Sequence, residues 1–137
     1  MQHLSVNKKG EEIAMNLALW VVQGLLALAY LAAGIMKVSQ PVESLGKRMD
    51  WVNAVSPGVV RFIGAAEFLG ALGLILPLVT GILPWLTVVA AGGLVIVQLA
   101  ALIFHLQRGE SKAVPVNLVL LILALAVVYG RAVIVQA

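Results

Sequence analysis

The sequence has no cysteine, only two histidines and few charged residues, and each shortage excludes a class of function. Without a thiolate the protein cannot catalyse disulfide exchange, ligate an iron–sulfur cluster or attack a substrate through sulfur. Zinc sites need three or four ligands, and bis-histidine haem needs two imidazoles. Only one of the two histidines, His105, lies near an apolar segment. We therefore expect no metal site. The glycines lie within apolar runs and form no nucleotide-binding fingerprint.

Charged residues make up only 11% of the chain, whereas hydrophobic residues make up 62% and the mean hydropathy is +1.07. Soluble globular proteins contain about 25% charged residues. The composition therefore predicts a single membrane domain over residues 1–137, with the lipid bilayer as its surroundings. A net charge of +3 would suggest nucleic-acid binding in a soluble chain. Here the cations flank apolar segments, where they set topology and contact anionic lipid, so we expect no nucleic-acid partner.

Four continuous apolar segments cover approximately residues 13–36, 59–76, 82–104 and 113–130. Each has about the length that a helix needs to cross a hydrocarbon core of about 30 Å. None alternates between polar and apolar residues as a strand of a membrane barrel does. The sequence therefore predicts an all-α integral membrane protein, a bundle of four helices.

The connection between the first two segments contains apolar residues at helical spacing, namely Val42, Leu45, Met49 and Val52. Pro41 suits a first helical turn, and Pro57 ends the run. This pattern predicts a short amphipathic helix on the membrane surface, with Trp51 at the interface. A solvated connector with chance periodicity is the alternative. We call the membrane face that holds this connection the loop side.

Glu67 lies deep in the second apolar segment, where a carboxylate is costly unless it faces the bundle interior and a polar partner. At 1.5 Å per residue, Glu67 lies about 9 Å below Arg61. Tyr30 precedes Lys37 by one heptad, which places it about 10 Å deeper on nearly the same helix face. Gln98 has the same relation to His105, and Asn117 enters on the fourth segment.

These depths predict a polar pocket around Glu67 that opens to the loop side. Tyr30, Glu67 and Gln98 share its inner level, and the mouth above them is formed by Lys37, Arg61, His105 and Asn117. All seven are candidate ligand-binding residues, whereas no catalytic residue can be assigned.

Each candidate also has a purely structural interpretation. Glu67 could pair with Lys37 or Arg61 to hold the helices together, and either cation could instead extend to lipid headgroups. His105 could be an interfacial residue, and Gln98 and Asn117 could be hydrogen-bond partners between helices. The small residues in the second and third segments permit close helix packing and could equally serve a homo-oligomer.

Several stretches of the chain together resemble the DoxX-like family of small four-helix membrane proteins. They are residues 33–37 (AGIMK), 61–67 (RFIGAAE), 73–77 (GLILP), 105–110 (HLQRGE), Asn117 and 130–131 (GR). The resemblance covers approximately residues 17–131 and rests on the order and spacing of these motifs. It implies a protein of the bacterial inner membrane, associated with a quinone-linked oxidoreductase. It also implies functional roles for Lys37, Arg61, Glu67 and His105.

Three functions from different classes follow. The first is an accessory subunit that binds a small lipophilic ligand, with a quinone as the only cofactor considered, beside an oxidoreductase partner. The second is a small proton-coupled transporter in which Glu67 exchanges a proton for a substrate. The third is a structural or assembly subunit. Whether the chain is itself an enzyme stays open.

Overall fold

The computed structural model describes residues 2–134, and within that range the chain is helical without any strand. Four helices are long and apolar enough to cross a membrane, which confirms the predicted all-α membrane bundle. In chain order the elements are α1 (Gln2–Ser39), α2 (Val42–Arg48), a 3₁₀ helix (Asp50–Ala54), α3 (Pro57–Thr80), α4 (Leu86–Gln107), α5 (Val114–Tyr129) and a π-helical turn (Gly130–Ile134).

The helices extend beyond the apolar segments at several ends. Helix α1 already begins at Gln2, because the polar residues before position 13 continue the helix outside the apolar stretch. Helix α3 passes through Pro77, which lacks an N–H to donate to the preceding turn, and ends only at Thr80. Gly81 has the left-handed φ of +71° that suits a residue after a helix. The turn therefore extends to Trp85, and α4 begins later than its apolar segment.

The four long helices pack in the circular order α1, α3, α4, α5, and α5 returns to contact α1. Large side chains such as Phe62 and Ile96 point outward and are exposed, as expected of surfaces that face lipid. The interior contains a cluster of buried residues that includes Leu26, Tyr30, Leu74, Ala91 and Leu94.

Helices α1 and α3 approach each other most closely at a pair of glycines. A Cβ atom on Gly34 would lie 2.7 Å from the carbonyl oxygen of Gly64 and 2.7 Å from the amide nitrogen of Phe68. The backbones could not remain this close with a larger residue at position 34. Small residues therefore set the distance between these helices, as is common in membranes.

The predicted short helix of the first connection forms as α2, and the 3₁₀ helix follows it after a break at Met49. Leu45 and Val52 are completely or almost completely buried, and together with Val60 they form a second apolar cluster. The apolar side of this segment thus packs on the loop-side ends of α1 and α3, with Met36 against the same cluster. The segment covers the end of the bundle.

The close contact at Gly34 leads to a stability prediction. We expect Gly34→Ala to lower the free energy of unfolding by about 1–3 kcal/mol, because the new methyl group would meet backbone atoms of α3. Gly24→Ala in the same helix is the matched control, since a Cβ atom at position 24 would have no neighbouring atom within 4 Å. It should instead stabilise the protein by up to about 1 kcal/mol through helix propensity. Unfolding in mixed detergent micelles, followed by circular dichroism, measures both; equal stabilities would contradict the prediction.

Candidate functional site

Lys37 and Glu67 form a buried ion pair between the last turn of α1 and the interior of α3. The Lys37 Nζ lies 2.8 Å from each carboxylate oxygen of Glu67. The two residues are only 8% and 5% exposed. Of the partners considered for Glu67, the structure thus selects Lys37, whose side chain turns inward and does not extend to the headgroups. Charge-assisted contacts of this length satisfy both oxygens of the carboxylate.

Trp51 of the 3₁₀ helix lies against this pair from the loop side. Its ring centroid is 5.6 Å from Lys37 Nζ, within the range of a cation–π interaction. The ring is half-buried, so Trp51, expected at the lipid interface, also covers a charged side chain. The covering segment is thereby connected to the ion pair as well as to the apolar cluster.

Arg61 does not contact Glu67; its guanidinium holds the end of α1. One terminal nitrogen of Arg61 donates to the carbonyl oxygens of Lys37 and Gln40, at 2.7 and 2.6 Å. The last carbonyls of a helix have no intrahelical partner and carry partial negative charge, so a cation there satisfies them and stabilises the helix end. Arg61 thus positions the backbone from which Lys37 extends.

Tyr30 lies about two helical turns deeper than Lys37, on the same side of α1. It belongs to the same core cluster as Ala71, which follows Glu67 by one turn of α3. Tyr30 is 2% exposed, and its hydroxyl has no hydrogen-bond partner among residues 2–134. We call Tyr30, Lys37 and Glu67 the Glu67 layer.

Gln98 and Asn117 connect α4 to α5. Gln98 Nε2 donates to the Asn117 side-chain oxygen at 2.9 Å, and Asn117 Nδ2 donates to the carbonyl of Ala113 at 2.9 Å. Gly70 lies against Leu94, so Gln98, one turn beyond Leu94, is near the depth of Glu67 as the spacing predicted. Its described hydrogen bonds, however, go to α5 and not to the Glu67 layer.

His105 lies in the last turn of α4 and faces a different carboxylate. Its Nδ1 is 3.6 Å from Glu110 Oε1, too far for a hydrogen bond. Glu110 Oε1 accepts from Arg108 Nε, and Arg108 also reaches Asp50 of the 3₁₀ helix at 3.1 Å. In the described part of the chain no three acidic or histidine side chains converge as metal ligands.

The seven predicted residues fall into three groups, which do not coincide with the predicted inner level and mouth. Tyr30, Lys37 and Glu67 form one, with Arg61 at its edge; Gln98 and Asn117 form the second, and His105 the third. A groove of about 250 Å³ lies between α3 and α4, and a cleft of about 320 Å³ lies at the turn between α4 and α5. Neither concavity is lined by Lys37 or Glu67.

A further polar cluster, which the sequence reasoning missed, lies at the opposite end of the bundle. Arg131 donates to the side-chain oxygens of Gln23 and Asn16, each at 2.6 Å, and stacks on Trp20 with 5.2 Å to the ring centroid. Gln23 in turn donates to the carbonyl of Leu74 at 2.6 Å. A signal was present: Gln23 precedes Tyr30 by the same heptad that separates Tyr30 from Lys37, so the three share one face of α1.

The ion pair predicts an asymmetric response to mutation. Glu67→Gln leaves the Lys37 ammonium buried without an anion, and we expect it to lower the free energy of unfolding by about 3–5 kcal/mol. The double variant Lys37→Met/Glu67→Leu removes both charges at similar volume and should unfold close to the wild type.

The exposed Glu43→Gln is the control and should leave stability unchanged. Detergent unfolding of the four proteins, the wild type included, measures these differences in stability. A double variant as unstable as Glu67→Gln alone would show that the cost does not come from an unpaired charge.

Comparison with known families gives one result that covers most of the chain. The model of the DoxX-like family matches residues 21–127, a range that contains all three groups of polar residues described above. Comparisons with curated proteins and with solved structures find no match. Since the family match extends over well more than half of the sequence, this integral membrane protein belongs to the DoxX-like family.

Proposed function

We propose that this protein binds a small lipophilic molecule of the quinone class at the Glu67 layer, as an accessory subunit of a membrane oxidoreductase system. The proposed setting is the bacterial inner membrane, which the family resemblance implies. One observation carries the proposal: the Tyr30 hydroxyl is buried on the same side of α1 as the ion pair and has no hydrogen-bond partner among the described residues.

An unpartnered hydroxyl in an apolar interior is costly. Leaving a buried donor unsatisfied costs about 1–3 kcal/mol, and in a bilayer no bulk water is near to satisfy it. On its face of α1, Tyr30 lies midway between Gln23 and Lys37, one heptad from each. Apolar residues such as Leu26 and Leu94 belong to the same buried cluster. A ligand oxygen that accepted a hydrogen bond from Tyr30 would remove this cost.

The side chains of the layer fit the ring oxygens of a quinone. Tyr30 offers one O–H donor, and the Lys37 ammonium has three N–H donors, which leaves capacity beyond its contacts with Glu67. The fixed positive charge of Lys37 would stabilise negative charge on a nearby oxygen, and Glu67 would hold that ammonium in place. When bound, a quinone would supply two-electron redox chemistry that no residue type of this chain provides.

The groove between α3 and α4 suits the apolar part of such a molecule. It is lined by small and apolar residues, among them Ala66, Gly70, Gly93 and Val97. Ala66 precedes Glu67 and Val97 precedes Gln98 in sequence, so the groove lies at the depth of the Glu67 layer. A lipophile could therefore reach this depth from the surrounding lipid.

A structural role is the second candidate, and the bidentate contact of Lys37 with Glu67 favours it, because both charges are satisfied without any ligand. The same contact disfavours a proton-coupled exporter of cations. A cationic substrate would have to displace Lys37 at 2.8 Å from the carboxylate and would meet its positive charge. Substrate flux in reconstituted vesicles under an imposed proton gradient would support the exporter function instead.

Tyr30→Phe separates ligand binding from a structural role. The change removes one hydroxyl oxygen that makes no hydrogen bond within the described chain. We expect the amount of co-purifying lipophile per protein to fall about three- to tenfold, the worth of one hydrogen bond. Stability without ligand should stay equal or rise, since an unsatisfied polar atom is lost. Native mass spectrometry after gentle extraction from the membrane measures the bound fraction and the ligand mass.

Tyr129→Phe is the matched control, because Tyr129 is 60% exposed on the outer surface. It should retain the lipophile at the wild-type level. If the wild-type protein carries no lipophile, or if Tyr30→Phe retains as much as the wild type, the assembly role becomes the better explanation of the Glu67 layer.

A further inference from the structure

The turn between α4 and α5 borders an open cleft that takes no part in the Glu67 layer. We call it the turn cleft; its lining includes His105, Gly109, Glu110, Ser111 and Val114. Its volume of about 320 Å³ is at the lower end of the range of about 300–1,000 Å³ typical of ligand sites. The cleft is therefore large enough for the head of a small molecule.

Hydrogen bonds within the turn hold the shape of the cleft. The amide of Glu110 donates to the carbonyl of His105 at 2.9 Å, and the amide of Gly109 donates to that of Leu106 at 3.2 Å. Gly109 has a φ of +70°, a left-handed conformation that a residue with a side chain rarely adopts. The cleft is thus part of a defined backbone turn between two membrane-spanning helices.

One residue that lines the cleft has a polar atom without a hydrogen-bond partner among the described residues. His105 is only 9% exposed, and its Nδ1 makes no hydrogen bond within the part of the chain that the structure describes. The nearest carboxylate oxygen, Glu110 Oε1, is 3.6 Å away and already accepts from Arg108. Most of the remaining wall is apolar, as at Val114 and Pro115. An occupant should therefore have an apolar body and one polar group directed at the imidazole.

We propose that the turn cleft binds the hydroxyl group of a lipophilic molecule, which accepts a hydrogen bond from His105 Nδ1–H and donates its own hydrogen to the Glu110 carboxylate. A hydroxyl suits the 3.6 Å gap between Nδ1 and Glu110 Oε1, because it is both an acceptor and a donor, whereas a carbonyl or carboxylate oxygen has no hydrogen to donate and is repelled by Glu110. His105 lies in the last turn of α4 on the loop side, where amphiphiles place their polar heads. The site goes beyond the proposed function and uses none of the residues of the Glu67 layer.

Histidine-selective NMR of the full chain in lipid nanodiscs tests the site directly. The chain has two histidines, so ¹⁵N-histidine labelling in a His3→Gln background leaves His105 as the single imidazole signal. The probe is 4-decylphenol, and its control is 4-decylanisole, the methyl ether of the same body without the donor. We expect the phenol to shift the Nδ1 resonance of His105 saturably and the ether to shift it at least tenfold less.

A further arm uses 1-decanol to identify the source of the hydroxyl. A response to both hydroxyl probes supports a site for hydroxyl-bearing lipids in general, whereas a response to the phenol alone supports a reduced, quinol-type ligand. Val114→Trp fills the cleft and should weaken phenol binding at least tenfold. Val116→Trp, at a lipid-facing position of the same helix, should leave binding unchanged.

Two results would overturn the site: equal shifts with the phenol and the ether, or no shift with any probe. Both results are measured on the His3→Gln protein, so they are valid even if Val114→Trp fails to fold. Either result leaves the proposed function standing, because retention of a lipophile through Tyr30 is measured separately. Conversely, a His105 response in a protein that retains no lipophile at the Glu67 layer supports the turn cleft alone.

Discussion

The constraint on which this fold depends is that a membrane interior supplies no water to a buried charge. The contact of Lys37 with Glu67 meets it by bringing an ammonium within 2.8 Å of both carboxylate oxygens. That contact requires α1 and α3 to lie close together, which Gly34 and Gly64 permit. It also requires the end of α1 to be fixed, which Arg61 achieves through two backbone carbonyls. Backbone packing and helix capping are thus both adapted to one ion pair.

At the opposite end of the bundle, neutral side chains satisfy a buried cation. Arg131 is almost fully buried, and side-chain oxygens of Gln23 and Asn16 accept from it. At each end a tryptophan ring also lies against the cation, Trp51 at Lys37 and Trp20 at Arg131. An apolar core separates the two polar clusters. The helices are therefore joined by directional bonds near both membrane faces, while the middle depends on close packing.

The sequence predicts what depends on length and depth, and it leaves open what depends on helix rotation. Hydropathy alone identifies the four spans, because the thickness of the bilayer sets the length of an apolar run. Residue spacing correctly places Gln98 near the depth of Glu67. It cannot decide that Gln98 turns toward Asn117, or that Glu67 meets Lys37 and not Arg61, since these choices depend on how each helix is rotated about its axis. The role of a tryptophan is similarly hard to predict from sequence, because tryptophan occurs both at the membrane interface and in contact with cations.

The polar groups that we propose for ligand binding are not the charged residue that is most conspicuous in the sequence. Glu67 is the costliest residue to bury, and for that reason the fold satisfies it fully within the bundle. Neutral atoms are cheaper to leave unsatisfied, by several kcal/mol relative to an isolated charge. The Tyr30 hydroxyl and His105 Nδ1 can therefore stay without a hydrogen-bond partner among the described residues, whereas an unpaired carboxylate at either position would destabilise the bundle much more. In this bundle the paired charges hold the helices together, whereas the two binding sites that we propose depend on neutral atoms that the fold leaves without a hydrogen-bond partner among the described residues.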